Sequence, residues 1–162
     1  MSIRLFMGAA VAALSVGVAA CGSSSPPASE TEPAASAEPA ADHAGPTGGR
    51  VFFISPKDGE TIRNGHRAEF GAEMYTIAAV PEGEVTVVRA GVGHFHLGFD
   101  TDCLPPGTVI PKADPWQHFG TGSNWTELNM TPGQHTLVVQ AGDDLHATLA
   151  GLCEKITVTV AE

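Results

Sequence analysis

Positive charge is what this sequence has least of: eight Lys and Arg stand against eighteen Asp and Glu. Arg4 belongs to the N-terminal leader, and Glu30, Glu32, Glu38 and Asp42 follow it. Residues 50–162 therefore carry fourteen acids against seven bases, a balance of −7 with neutral histidine. That sign excludes a nucleic-acid partner and docking on anionic lipid headgroups, both of which call for a basic face. It suits cationic ligands. Also missing after Gly49 is any sustained 3.6-residue apolar period, which excludes a helical core. A nucleophile paired with a base at motif spacing is missing as well, and Ser123 sits in no recognisable elbow, so the domain reads as a non-enzyme. Catalysis would have to take the form of a hydrolytic metal centre with Asp100, Asp143 or Asp144 as base.

Long apolar runs are confined to the start of the chain. Residues 5–18, behind Arg4, form an Ala- and Val-rich stretch shorter than the roughly 20 apolar residues of a membrane span. Residues 1–20 read as a secretory signal. Val18-Ala19-Ala20-Cys21 resembles the bacterial lipobox, which implies a lipid on Cys21 as the new N-terminus. The alternative is an ordinary signal peptide cut after Ala20. Gly22, where an Asp would retain a lipoprotein at the inner membrane, implies the outer membrane of a Gram-negative host. The expected location is therefore the cell envelope, lipid-anchored and facing the periplasm. Residues 21–49 are Ser, Pro, Ala, Gly and acid with almost no large apolar side chain, a composition that cannot offset its ordering entropy. They read as a lipidated N-terminus and disordered linker, with His43 a solvated member of it.

Residues 50–162 are one domain's worth of chain. Val51-Phe52-Phe53-Ile54 is an apolar strand closed by the turn signal Ser55-Pro56-Lys57-Asp58-Gly59. Residues 68–75 and 84–89 alternate, the latter around Val85, Val87 and Val88. Residues 92–99 alternate most cleanly: Phe95, Leu97 and Phe99 project to one side, His94, His96 and Gly98 to the other, with Asp100 continuing that side. Residues 101–124 are a long irregular stretch with four prolines, 125–130 and 135–141 are strands, 142–152 is a second irregular stretch, and 155–160 closes the domain. About seven short strands at this spacing predict an all-β, immunoglobulin-like antiparallel β-sandwich, with a small barrel as the alternative.

Three cysteines occur. With Cys21 given to the lipid, Cys103 and Cys153 form an even pair in an oxidising compartment, one in each irregular stretch, and a disulfide is expected. Free thiols for metal or redox work are the alternative. Six of the seven histidines lie in the folded part. His66 reads as a turn residue. His94 and His96 project the same way about 6.5–7 Å apart, so leaning imidazoles can share one ion. His118 and His146, on the irregular stretches, are the candidate further ligands. Asp100 is a fourth ligand or an acceptor orienting an imidazole. His135 reads as a semi-buried residue bonded to backbone, or a weaker ligand candidate. Imidazole-rich ligation favours copper or zinc. Met74 and Met130 offer thioether to Cu(I) but read better as core filler.

The blocks Gly93-His94-Phe95-His96-Leu97-x-x-Asp100, Ile110-Pro111-Lys112, His118-Phe119-Gly120-x-Gly122, Pro132-Gly133-x-His135-Thr136-Leu137, Gly142-Asp143-x-x-His146 and Ile156-Thr157-Val158 resemble an exported bacterial family, domain of unknown function 4399. The resemblance spans nearly all of residues 51–160 and implies an exported β-rich domain with no established activity. The family typically has three consecutive histidines where this chain has His94-Phe95-His96. Alternation places Phe95 on the core side, so the change removes nothing from the histidine face. The family's Gly-Gln-Thr-Glu after the His-Phe-Gly block is Gly122-Ser123-Asn124-Trp125 here. Two readings follow. One is a lipid-anchored envelope domain binding copper or zinc through His94, His96, His118 and His146. The other is a structural or interaction module, docking an unidentified envelope protein or a glycan, whose histidines are hydrogen-bonded loop anchors.

Overall fold

The structure is a computed structural model and describes residues 43–162. The expected signal peptide, Cys21 and most of the expected linker lie outside the described residues. Nine strands and no helix occur among those described: β1 (Arg50–Ser55), β2 (Thr61–Ile62), β3 (His66–Glu73), β4 (Thr76–Ile77), β5 (Val92–Phe99), β6 (Trp116–His118), β7 (Trp125–Leu128), β8 (Gly133–Gly142) and β9 (Thr148–Val160). They form two sheets. One has the order β1-β3-β7; the other runs β2-β9-β8-β5-β4, with β6 also on β5. The all-β, two-sheet arrangement expected from the strand spacing is present. It is not wholly antiparallel, because the two-residue strands β2 and β4 pair parallel to β9 and β5.

Period-2 alternation explains which side chains meet between the sheets. Val51 and Phe53 of β1, Ala68 and Phe70 of β3, Phe95 and Leu97 of β5, Leu137, Val139 and Ala141 of β8, and Ile156, Val158 and Val160 of β9 form one buried cluster. Phe70 is its hub, edge-on to Phe53, Phe95 and Phe119 with ring centroids 5.4–5.6 Å apart.

The outer face of the larger sheet is covered too. The segment 101–115 lies over it and builds a second apolar cluster of Ile110, Trp116 and Val138, with Leu104 and Cys153 against it. Its fastenings are polar and covalent. The Leu104 N–H donates to Gln140 Oε1 at 2.9 Å, and Gln140 Nε2 donates back to the Leu104 carbonyl at 2.8 Å. The Gly107 N–H donates to the Thr148 carbonyl, the Ile110 N–H to the His146 carbonyl, and Val109 bridges Ala147. Cys103 and Cys153 form the expected disulfide.

Several expectations change. Residues 84–89 are not a strand, and Val87 is 79% exposed. Arg89 instead turns its backbone N–H and guanidinium onto Asp144, so the segment finds a side-chain anchor and no strand edge. The irregular stretch 101–124 contains β6, and β9 begins at Thr148, which shortens the second irregular stretch. Met74 is 72% exposed with φ 55°, so it fills no core. The last residues of the expected linker lie against the domain: the Ala150 N–H donates to the His43 carbonyl at 3.0 Å.

Candidate metal centre

β5 is flanked by β8 on one edge and by β6 on the other, and this pairing assembles the site. His96 is in register with His118 of β6 and with Gln140 of β8; His94 is in register with Gly142, the last residue of β8. His94, His96 and His118 therefore share one face without any loop having to reach over. His118 was expected on an irregular stretch; it stands instead at the end of a three-residue strand paired directly to β5.

His146 arrives by a tight loop. Asp143 Oδ1 accepts from the Leu145 N–H at 2.8 Å and the Ala147 N–H at 2.9 Å, and the His146 N–H donates to the Asp143 carbonyl. This Asx-type turn folds the chain back after β8. It leaves His146 at φ 68°, an uncommon conformation for a residue with a side chain. Two glycines leave the room required. A Cβ on Gly142 would lie 3.1 Å from His146 backbone, and a Cβ on Gly120 would lie 2.3 Å from His118 Cε1.

The four imidazoles converge. One ring nitrogen from each lies within 4.8 Å of all the others. Ring centroids are 4.6 Å apart for His94 and His96, 4.8 Å for His94 and His118, 4.7 Å for His94 and His146, and 4.9 Å for His118 and His146. His118 Nε2 and His146 Nε2 are 3.0 Å apart, one ring N–H donating to the other nitrogen. Tetrahedral ligation at 2.0–2.1 Å sets nitrogens roughly 3.3 Å apart, so small ring rotations bring this set to a common ion.

His94 and His96 are fully buried, and neither nitrogen of either ring has a hydrogen-bond partner. Burial and the neighbouring imidazoles push the His94 pKa down to about 3 and that of His96 to about 2. Burial lowers His118 and His146 as well, and the exposed Lys112 ammonium adds to the effect on both. The group is thus four neutral imidazoles at neutral pH, the form in which histidine ligates a metal.

The remaining candidates lie elsewhere. Asp100, with φ 49° at the end of β5, turns away from the histidine face. Its Oδ1 accepts from the Thr136 N–H at 2.9 Å, and its Oδ2 from His135 Nδ1–H at 2.8 Å. His135 Nε2–H donates to the Thr131 carbonyl at 2.8 Å. Neither residue belongs to the histidine group; four residues of strand separate Asp100 from His96, about 13 Å. Met74 and Met130 contribute nothing to the group either, Met130 resting against the main core. The residue that sequence reasoning missed is Arg89. Its guanidinium holds the buried Asp144 at 2.6 Å beside His94 and also donates to the Ala79 carbonyl. No spacing rule ties Arg89 to Asp144, 55 residues away.

A family model described as Domain of unknown function (DUF4399) matches residues 68–161, a span holding all four histidines, Arg89, Asp143, Asp144 and the disulfide. No curated protein and no solved structure matches the chain.

Proposed function

The chain belongs to the DUF4399 family, and we propose that its domain is a binding module for one copper or zinc ion, held at the cell envelope by a lipid on Cys21. The observation that carries the metal reading is the pair His94 and His96: four ring nitrogens, buried, convergent on two further imidazoles, and without hydrogen-bond partners. Buried polar atoms in folded proteins are almost always satisfied, because leaving one bare costs about 1–3 kcal/mol. A shared cation supplies the missing partner for one nitrogen of each ring. Four imidazoles without a carboxylate or thiolate favour zinc or copper over calcium or magnesium. The alternative, histidines as loop anchors, calls for nitrogens aimed at backbone groups; those of His94 and His96 are not.

Binding and not catalysis is the reading the carboxylates favour. Asp144 bonds Arg89 through both oxygens, Asp143 Oδ1 accepts from the backbone of its own turn, and Asp100 bonds His135 away from the histidine face. Membrane tethering rests on the lipobox-like Val18-Ala19-Ala20-Cys21 alone.

Titration calorimetry of the tag-free full-length protein with Zn(II) and with Cu(II) tests the reading. Near one ion per chain is expected, lost in the double variant His94→Ala, His96→Ala. No binding of either ion at neutral pH overturns it.

A further inference from the structure

The four imidazoles are not equivalent. His94 and His96 stand on β5, held by β8 along one edge, and both are fully buried. His146 is also buried, and its loop is locked by the Asp143 turn, by the Ile110 N–H on its carbonyl and by the Val109–Ala147 bridge. His118 alone is only partly buried. It ends β6, a three-residue strand whose sole partner is β5, and the chain leaves it through Phe119 into two glycines, Gly120 and Gly122. A Cβ on Gly120 would meet the His118 ring, so the glycine leaves that ring its room.

We propose that His118 is an exchangeable ligand: His94, His96 and His146 retain the ion while His118 yields its position to an incoming nitrogen or sulfur donor. This rests on the metal-binding reading above. In the exchange a donor–metal bond forms, the His118 nitrogen–metal bond breaks, and no electron is transferred. The freed ring moves outward, since His118 is the one residue of the four outside the buried class, where His146 keeps 7% of its surface and His94 and His96 none. His94 and His96, fully buried on β5, have no such path without opening the sheet or its cover, and the His146 loop is pinned by its turn and by Ile110. The domain is then a carrier that hands its ion to an acceptor through a shared complex.

Co(II), whose visible bands report its coordination, serves as probe on the tag-free full-length protein. His118→Gly is expected to keep one Co(II) per chain, with affinity reduced by at least the roughly 10–100-fold that loss of an outer-shell partner costs. Millimolar imidazole is expected to restore the affinity and the wild-type spectrum. His96→Gly is expected to lose binding, with no rescue. Equal loss of binding in His118→Gly and His96→Gly, or indifference of the His118→Gly spectrum to imidazole, overturns the proposal. Unmodified protein provides a second measurement, free of any folding defect. Its rate of Co(II) release to a small chelator is expected to rise in proportion to chelator concentration. A rate independent of chelator means that the ion leaves before the acceptor arrives, and overturns the proposal while leaving the metal site standing. If the unmodified protein takes up neither Co(II) nor the ions named above, the metal reading and this inference fall together.

Discussion

At the scale of single residues, this protein places its histidines in two opposite chemical states. His94 and His96 are buried among imidazoles and held neutral. His135 has an acceptor at each ring nitrogen, Asp100 Oδ2 and the Thr131 carbonyl, and both contacts favour the charged form. The Asp100–His135 pair yields a pH prediction with a definite sign. The hydrogen bond from Asp100 raises the His135 pKa, so that contribution is fully present below the unfolded value of about 6.5 and is lost as pH rises through the folded one. The same bond lowers the Asp100 pKa, so its contribution is present above about 3.8 and is lost as pH falls through the depressed value. The pair is therefore worth most in mildly acidic solution. Asp100→Asn keeps an oxygen for the Thr136 N–H and removes the charge. It is expected to cost more stability at about pH 5.5 than at about pH 8, which lie below and above the ordinary histidine pKa of about 6.5. The Asp100 side chain is 59% exposed, so the difference is screened to at most about 1 kcal/mol. Urea titrations of both proteins at the two pH values measure it; an equal cost at both contradicts the assignment.

At the scale of elements, the deciding unit is the 101–115 segment, which converts the outer face of a sheet into an interior. The alternation of residues 92–99 already separated Phe95 and Leu97 from His94 and His96, and both sides are where period 2 puts them. That the histidine side is buried was not legible, because it depends on a proline-containing segment with no period of its own lying down over Val138 and Gln140. The partnership of His118 with His96 was half legible. Its place on an irregular stretch near the His94–His96 strand marked His118 as a candidate, but a three-residue strand is too short for alternation to register. Residues 84–89 misled in the opposite way: their valines alternate, yet no sheet edge receives them, and the ion pair from Arg89 to Asp144 sets their course. The cover's fastenings differ in strength, and this is testable. The Cys103–Cys153 link closes a 50-residue separation, worth on the order of 4 kcal/mol in the chain-entropy account. Cys103→Ser with Cys153→Ser is expected to lose about that much in denaturant unfolding. The double variant is nevertheless expected to retain the histidine site, since Gln140, Thr148 and the Val109–Ala147 bridge hold the cover independently. Loss of stoichiometric metal binding in a variant that still folds would show that the disulfide, and not these contacts, positions His146.

At the scale of the whole molecule, the histidine centre sets metal-free stability against function. Two buried rings with no hydrogen-bond partner detract from a folding free energy that in domains of this size is only about 5–15 kcal/mol. An ion that binds the folded state and not the unfolded one returns stability by mass action, about 2.7 kcal/mol at a hundredfold excess over Kd. Over a domain of this length that is a rise in Tm on the order of 10 °C. A substitution that fills the same space with apolar atoms reverses both terms. His96→Leu removes a buried ring that lacks partners and leaves the β5 ladder to β6 and β8 untouched, since that ladder is backbone. In metal-free buffer the variant is expected to be more stable than the parent by about 1–3 kcal/mol, the cost of an unsatisfied buried polar group. With Zn(II) in excess the order is expected to invert, the parent rising and the variant staying where it was. Calorimetric scans of both proteins, with chelator and with Zn(II), read this crossing directly. A His96→Leu variant less stable than the parent under both conditions would mean that the imidazole is satisfied without a metal, and that the convergence of the four rings serves the fold alone.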